Sequence, residues 1–208
     1  MARRKVAIID YGMGNIWSVL SAFKFLDADA FFVNKPKSII KADFIVLPGV
    51  GSFRKAMLTL NCKGLSDAIR EAATVKKAKL LGICLGMQLF ATIGSEDGET
   101  NGLGLINTNV DLFTPEELKT EKIPHVGFNT VNFKQKTGLF KGLSDHSDFY
   151  FVHSYRMLVD NFVGNYGTCE YGVEFLATFE LNNICGTQFH PEKSQTNGLI
   201  LLKNFLET

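Results

Sequence analysis

Short apolar runs alternate with helically spaced apolar residues through the first half of the chain. Lys5-Val-Ala-Ile-Ile-Asp10 reads as a buried strand that ends in the glycine-rich turn Tyr11-Gly-Met-Gly-Asn15. Ile16, Val19, Leu20, Phe23 and Leu26 then recur at the helical period, giving one apolar face, and Asn15 suits the N-cap position before them. Phe44-Ile-Val-Leu47 predicts a second strand, closed by Pro48-Gly-Val-Gly51. Leu65, Ala68, Ile69, Ala72 and Ala73 mark another amphipathic helix, Leu80–Ile83 another strand, and a helix-compatible run follows Cys84. This alternation predicts an α/β fold, a three-layer sandwich whose mixed, mainly parallel sheet carries helices on both faces. Past about Leu103 the pattern changes to strands and turns. Leu103–Ile106, Val110–Phe113, Gly127–Phe133, Phe149–Val159, Glu174–Phe179 and Ile184–Phe189 read as strands, with a last helix over Gly198–Leu206. No repeat, low-complexity tract or linker interrupts residues 1–208, which reads as one domain.

Composition narrows the functional classes. Hydrophobic residues make up 46% and charged residues 21%, a globular balance. A net charge of +1 gives no electrostatic case for a nucleic-acid or anionic-membrane partner. The uncharged stretch from Leu80 to Ser95 holds three glycines and Gln88 and is short of a membrane span, and Asp10 cuts off the N-terminal apolar run before it reaches signal-peptide length. The four cysteines form no CxxC pair and have no histidine at ligand spacing, which argues against zinc and against a disulfide framework. No metal or cofactor is expected, and a reducing, cytoplasmic compartment is the default.

One cysteine stands apart. Gly82-Ile83-Cys84-Leu85-Gly86 has the form glycine, x, nucleophile, x, glycine between a strand and a helix-compatible run. In that arrangement a sharp turn lifts the nucleophile clear of the sheet, and glycine on either side lets the backbone pass closely. A following helix start favours thiolate and can hold a developing oxyanion. The competing reading is an ordinary buried core cysteine. Downstream, His190-Pro191-Glu192 places a carboxylate two positions from an imidazole, with the proline biasing His190 toward an extended backbone. Cys84, His190 and Glu192 together make a nucleophile, base and orienter. Pro48–Gly51 is either a plain strand-to-helix turn or a loop able to aim a backbone N–H at a reacting carbonyl. All these segments follow predicted strands, where open α/β sheets bind ligands.

With these residues assembled, the chain resembles the class I glutamine amidotransferases, and within them the glutaminase subunits of imidazole glycerol phosphate synthase. The resemblance rests on Asp10–Asn15, Leu47–Gly51, Gly82–Leu89, Gly102–Ile106, Pro124–Gly127, Tyr150–Tyr155 and Gln188–Gln195. It implies Cys84 as nucleophile, His190 as general base and acid, and Glu192 as its orienter. It further implies an oxyanion hole from the N–H groups of Val50 and Leu85, and glutamine held by Gly51, Gln88 and Glu96. Read without the family, Gln88 is a solvated helix position and Glu96 a surface carboxylate. The resemblance also implies a heterodimer with a (βα)₈-barrel cyclase, to which ammonia passes. Asn15, Phe128, Tyr150 and Lys193 match its docking face or ammonia gateway. Their plain alternatives are a helix cap, a core aromatic, a strand aromatic and a surface lysine. Phe128 stands where the family commonly has Trp, and Asn107-Thr108 where it tends to have Pro-Gly; both leave the triad alone and bear on the partner. Three other functions stay open: a paralogue supplying ammonia to a surface-polysaccharide sugar, a free-standing Cys-His-Glu hydrolase, and a non-catalytic binding partner.

Overall fold

Alternate residues of the central strands feed two separate cores, one on each face of the sheet. The computed structural model describes residues 3–118, 120–160 and 162–207. The first half runs β1 (Lys5–Ile9), α1 (Ile16–Phe25), β2 (Asp29–Val33), α2 (Pro36–Ile40), β3 (Phe44–Gly49), α3 (Phe53–Cys62), α4 (Leu65–Thr74), β4 (Lys79–Cys84) and α5 (Leu85–Gln88). The second half adds β5 (Ile93–Gly94), β6 (Thr100–Asn101), β7 (Asn109–Leu112), α6 (Pro115–Leu118), β8 (His125–Phe133), β9 (His146–His153), β10 (Tyr155–Met157), β11 (Asn165–Tyr171), β12 (Val173–Leu181), β13 (Ile184–Thr187) and α7 (Gln195–Glu207). Ala7, Ile9, Ile45, Leu47 and Leu80 point to the face covered by α3 and α4, where Met57, Leu60, Leu65 and Ile69 meet them. Val6, Ile8, Val46, Leu81 and Ile83 point to the other face, covered by α1 and α7 through Val19, Phe23, Leu201 and Phe205. That division, set by the two-residue period of a strand, makes the three layers.

The described strands form one thirteen-stranded sheet, ordered β2-β1-β3-β4-β13-β12-β10-β7-β5-β6, from which β11, β8 and β9 branch at β12. The block β2-β1-β3-β4-β13 is parallel. Beyond β13 the pairings are antiparallel apart from β5 with β7. The return strand β13 thus lies beside β4, and whatever follows each of them shares one edge of the sheet.

Several elements depart from the reading of the sequence. Leu103–Ile106 is a turn and not a strand. Gly104 sits at φ +64°, and the N–H groups of Leu103, Leu105 and Ile106 bond to the Leu89 and Phe90 carbonyls at the end of α5 instead of to a ladder. The run Phe149–Val159 breaks at Ser154 into β9 and β10, which pair with different neighbours. The helix after Cys84 lasts a single turn, because the chain bends back as the Phe90 N–H bonds the Met87 carbonyl. Asn15 does occupy the N-cap of α1, but its side chain makes no cap hydrogen bond.

The turn at Cys84 is the tightest packing in the parallel block. β3 and β4 run in register with Leu47 opposite Gly82 and Gly49 opposite Cys84. A Cβ on Gly86 would stand 1.7 Å from the Leu47 carbonyl oxygen, and one on Gly82 would stand 2.6 Å from the Met87 backbone. Both distances are far inside van der Waals contact with backbone that cannot rotate away. Cys84 itself is held at φ 54°, ψ −115°, a conformation L-residues rarely adopt. Gly86→Ala should therefore cost about 3 kcal/mol or more in a denaturant melt. Gly104→Ala meets nothing within 4 Å and bears only its positive φ, so it should cost about 1 kcal/mol; equal losses at the two positions would contradict the packing argument.

Candidate active site

The elbow raises Cys84 at the carboxyl end of β4, and β13 delivers His190 to the same edge. Cys84 is buried, and its sulfur lies 3.8 Å from the Val152 carbonyl oxygen. His190 has the extended backbone that Pro191 favours, and the following 3₁₀ turn, Pro191–Lys193, brings Glu192 round so that its Oε1 is 2.8 Å from His190 Nδ1. The turn is stapled to β9. Ser194 Oγ donates to the His190 carbonyl at 2.6 Å and accepts from the Tyr150 N–H at 3.0 Å, while the His190 N–H bonds the Tyr150 carbonyl at 2.9 Å.

With Nδ1 bonded to Glu192, Nε2 is the ring nitrogen that His190 has left for Cys84, and it is buried. Burial would pull this imidazole down, but hydrogen bonding and charge from Cys84 and Glu192 outweigh it and hold its pKa above the usual histidine value. The protonated ring is favoured between a sulfur and a carboxylate.

A cavity of about 380 Å³ opens over the sulfur, lined among others by Val50, Gly51, Leu85, Gln88, Glu96 and His190. All the residues named for the nucleophile, oxyanion and substrate roles meet there. Gln88 is buried and not a solvated helix position. Its Nε2 donates to the Tyr155 carbonyl at 2.8 Å and to Gln188 Oε1 at 2.9 Å, so the oxygen is what its amide can offer the cavity. Glu96 has a structural bond as well: its Oε2 accepts from the Phe53 N–H at 2.8 Å at the start of α3, beside Ser52, which caps that helix through Lys55. Burial raises the Glu96 pKa; the Phe53 N–H works against this and the neighbouring Asp97 charge adds to it.

Asn15, Phe128, Tyr150 and Lys193 lie outside the cavity lining. Phe128 is 52% exposed, which removes the core-aromatic alternative. Its ring packs edge-on to Tyr150 at 5.6 Å, and Lys193 Nζ sits 5.7 Å from the Tyr150 ring centre. Val126 and Val152 are exposed on the same pair of strands, so an apolar strip borders the cavity. Asn15 is half-buried. Among the described residues no group of His, Cys, Asp and Glu could hold a metal, and no helix is long and apolar enough to cross a membrane.

The model of the class-I glutamine amidotransferase family matches residues 7–208. The chain belongs to that family. Imidazole glycerol phosphate synthase subunit HisH 1 of Parasynechococcus marenigrum is 44% identical over 203 residues, 97% of each chain. Its namesake from Campylobacter jejuni is 46% identical over 202 residues, 97% of this chain and 98% of that one. Among solved structures, a glutamine amidotransferase from Thermotoga maritima superposes with a TM-score of 0.67 at 17% identity, covering 100% of this chain and 98% of that one. At that identity it speaks for the fold alone.

Three residues at or beside the cavity lie in segments that carry the resemblance, yet the sequence assigned them no role: Gln188, His153 and His125. Gln188 Nε2 lies 3.7 Å from the Cys84 sulfur. His153 lines the cavity and contacts His125, 3.1 Å away across β8 and β9. No spacing rule links residues on two strands whose register is unknown.

Burial pushes His125 down to about 4 and His153, where the His125, His190 and Arg156 charges add to burial, down to about 3. Folded-state values below the ordinary one mean that the unfolded chain takes up protons first as pH falls. Their contribution is thus complete above about 6.5 and is lost between there and about 3. The thermal midpoint should fall steadily as the pH goes from about 7 to about 4. Replacing both rings, His125→Phe with His153→Phe, should flatten that slope; a wild-type midpoint independent of pH over this range would contradict the assignment.

Proposed function

We propose that this chain is the glutaminase subunit of an imidazole glycerol phosphate synthase, hydrolysing glutamine at Cys84 and passing ammonia to a (βα)₈-barrel cyclase in histidine biosynthesis. The observation that carries the reading is the 2.8 Å His190–Glu192 contact beside a cysteine raised on its own elbow. Relatives named as HisH subunits along nearly the whole chain favour this acceptor over a polysaccharide sugar.

Glutamine enters the cavity with its side-chain amide over Cys84. The Glu96 carboxylate and the Gln88 oxygen, both acceptors, meet its ammonium end near Gly51. The sulfur attacks the amide carbon, and the oxygen that becomes negative is met by the N–H groups of Val50 and Leu85; one such donor is worth on the order of 10²–10³ in rate. His190, held as imidazolium by Glu192, gives its Nε2 proton to the departing nitrogen as the C–N bond breaks. A γ-glutamyl thioester and ammonia result. His190 then takes a proton from water, the new oxygen bonds to carbon, the C–S bond breaks, and glutamate leaves with the sulfur restored.

Ammonia released into water at neutral pH becomes ammonium and loses its nucleophilicity, so the product needs a covered exit. The apolar strip of Val126, Phe128 and Val152, with Tyr150 and Lys193 beside it, supports docking of the barrel next to the cavity. A strip of this kind beside the cavity favours a docked subunit over a free-standing hydrolase. A reducing compartment such as the cytoplasm, which keeps the Cys84 thiol free, suits this chemistry.

Cys84→Ala should lower glutamine-dependent turnover about a thousandfold or more. The complex should still make product from ammonium salts; loss of both activities would make Cys84 structural. Asn15→Ala should weaken association with the barrel while leaving the melting temperature in place, since its side chain caps nothing. A lower melting temperature with unchanged affinity would assign Asn15 to the helix instead.

A further inference from the structure

Two buried histidines that no step above uses stand between the cavity and β8. His153 ends β9, and His125 faces it across the β8–β9 ladder. His153 Nδ1 is 2.8 Å from the Tyr155 carbonyl oxygen, which can only accept, so Nδ1 carries the hydrogen. In a neutral ring Nε2 is then an acceptor, and His125 Nδ1, 3.1 Å away, donates to it. That leaves His125 Nε2 to accept from Asn129 Nδ2 at 3.4 Å. One carbonyl therefore fixes the tautomers of both rings. His125 is also gripped by stacking, 3.9 Å from the Tyr171 ring and 4.7 Å from Phe151. Burial keeps both rings neutral, and the nearby Arg156 and His190 disfavour a cation at His153.

The same Tyr155 carbonyl accepts from Gln88 Nε2, and Gln88 in turn reaches Gln188 and through it Cys84. Two donors thus share one oxygen, the first from the histidine pair and the second from a cavity-lining amide. Tyr155 opens β10, just past the break at Ser154, where the chain passes from the β8 ladder to pairing with Leu112 of β7. Without the His153 donor that carbonyl keeps only the Gln88 amide as its side-chain donor, and the carbonyl and amide are no longer aligned from the histidine side.

We propose that His125 and His153 form a positioning pair that pins the Tyr155 carbonyl, keeps the Gln88 oxygen turned to the cavity, and so sets the affinity of the Cys84 site for glutamine. This deepens the glutaminase reading and rests on it. The pair acts through the Tyr155 carbonyl and the Gln88 amide.

The test measures glutamate release by the full chain with its barrel partner. The double variant His125→Phe/His153→Phe removes both polar rings together and keeps aromatic volume, so neither partner is left buried and unpaired. Its KM for glutamine should rise about tenfold while kcat changes less than about threefold, because uniform binding is what the pair supplies. Iodoacetamide should alkylate Cys84 at the wild-type rate. His153→Asn should restore KM, since the Asn amide nitrogen can take the place of Nδ1 as donor to Tyr155. An unchanged KM in the folded double variant, or an Asn variant no better than Phe, would overturn the proposal. A second measurement does not depend on variants: ¹⁵N spectra near pH 7 should show both rings neutral, with the His153 proton on Nδ1. A cationic ring or the opposite tautomer would overturn it. Failure of the wild-type complex to release glutamate would instead sink the glutaminase reading, and the pair's role with it.

Discussion

Gly86 crosses the end of β3 so closely that its missing Cβ would overlap the Leu47 carbonyl, and this contact determines where the Cys84 sulfur sits. The chain leaves β4 through a residue at φ 54° and cannot relax, because Gly82 on one side and Gly86 on the other are pressed against backbone. Strain of this kind costs on the order of 1–3 kcal/mol and persists only where the surroundings over-determine it. Here the parallel ladder between β3 and β4 supplies that constraint, running to the Gly49–Cys84 pair itself. The ladder between β4 and β13 then brings His190 to the same edge, and Ser194 ties the His190 turn to β9. Geometry on this scale comes from the sheet and not from the loops.

The residues around the cavity carry structural bonds of their own. Glu96 receives the first N–H of α3 with one oxygen, so the loop that carries it and the Gly51–Ser52 turn are fixed to one another. Gln88 spends both amide hydrogens on neighbours and is left with an acceptor. A site built this way has little freedom to reorganise when charge moves, which is what electrostatic stabilisation of an oxyanion requires. It also means that substitutions at Glu96 or Gln88 disturb folding and binding together and are poor probes of either alone.

The parallel half of the fold was legible because its signals are local. Short apolar runs such as Phe44–Leu47 and the helical periods of Ile16–Leu26 and Leu65–Ala73 carry their own pattern. The elbow and the His190-Pro-Glu192 turn were legible for the same reason, since each is a short segment whose geometry is set by glycine or proline. What stayed hidden depends on pairing. Asp29–Val33 and Asn165–Tyr171 are strands because β1 and β12 lie beside them, not because of strong alternation. Leu103–Ile106 looks like a strand and is a turn, since its N–H groups are claimed by the end of α5. The His125–His153 contact and the Gln88–Gln188 contact join residues far apart in sequence, and only the folded register shows them.

Glutamate release from glutamine, followed for the purified chain alone and then with a barrel cyclase and its nucleotide ligand, tests the central claim most directly. The chain alone should release glutamate slowly, with strong stimulation when cyclase and ligand are both present. Fast release that ignores the cyclase would contradict that claim.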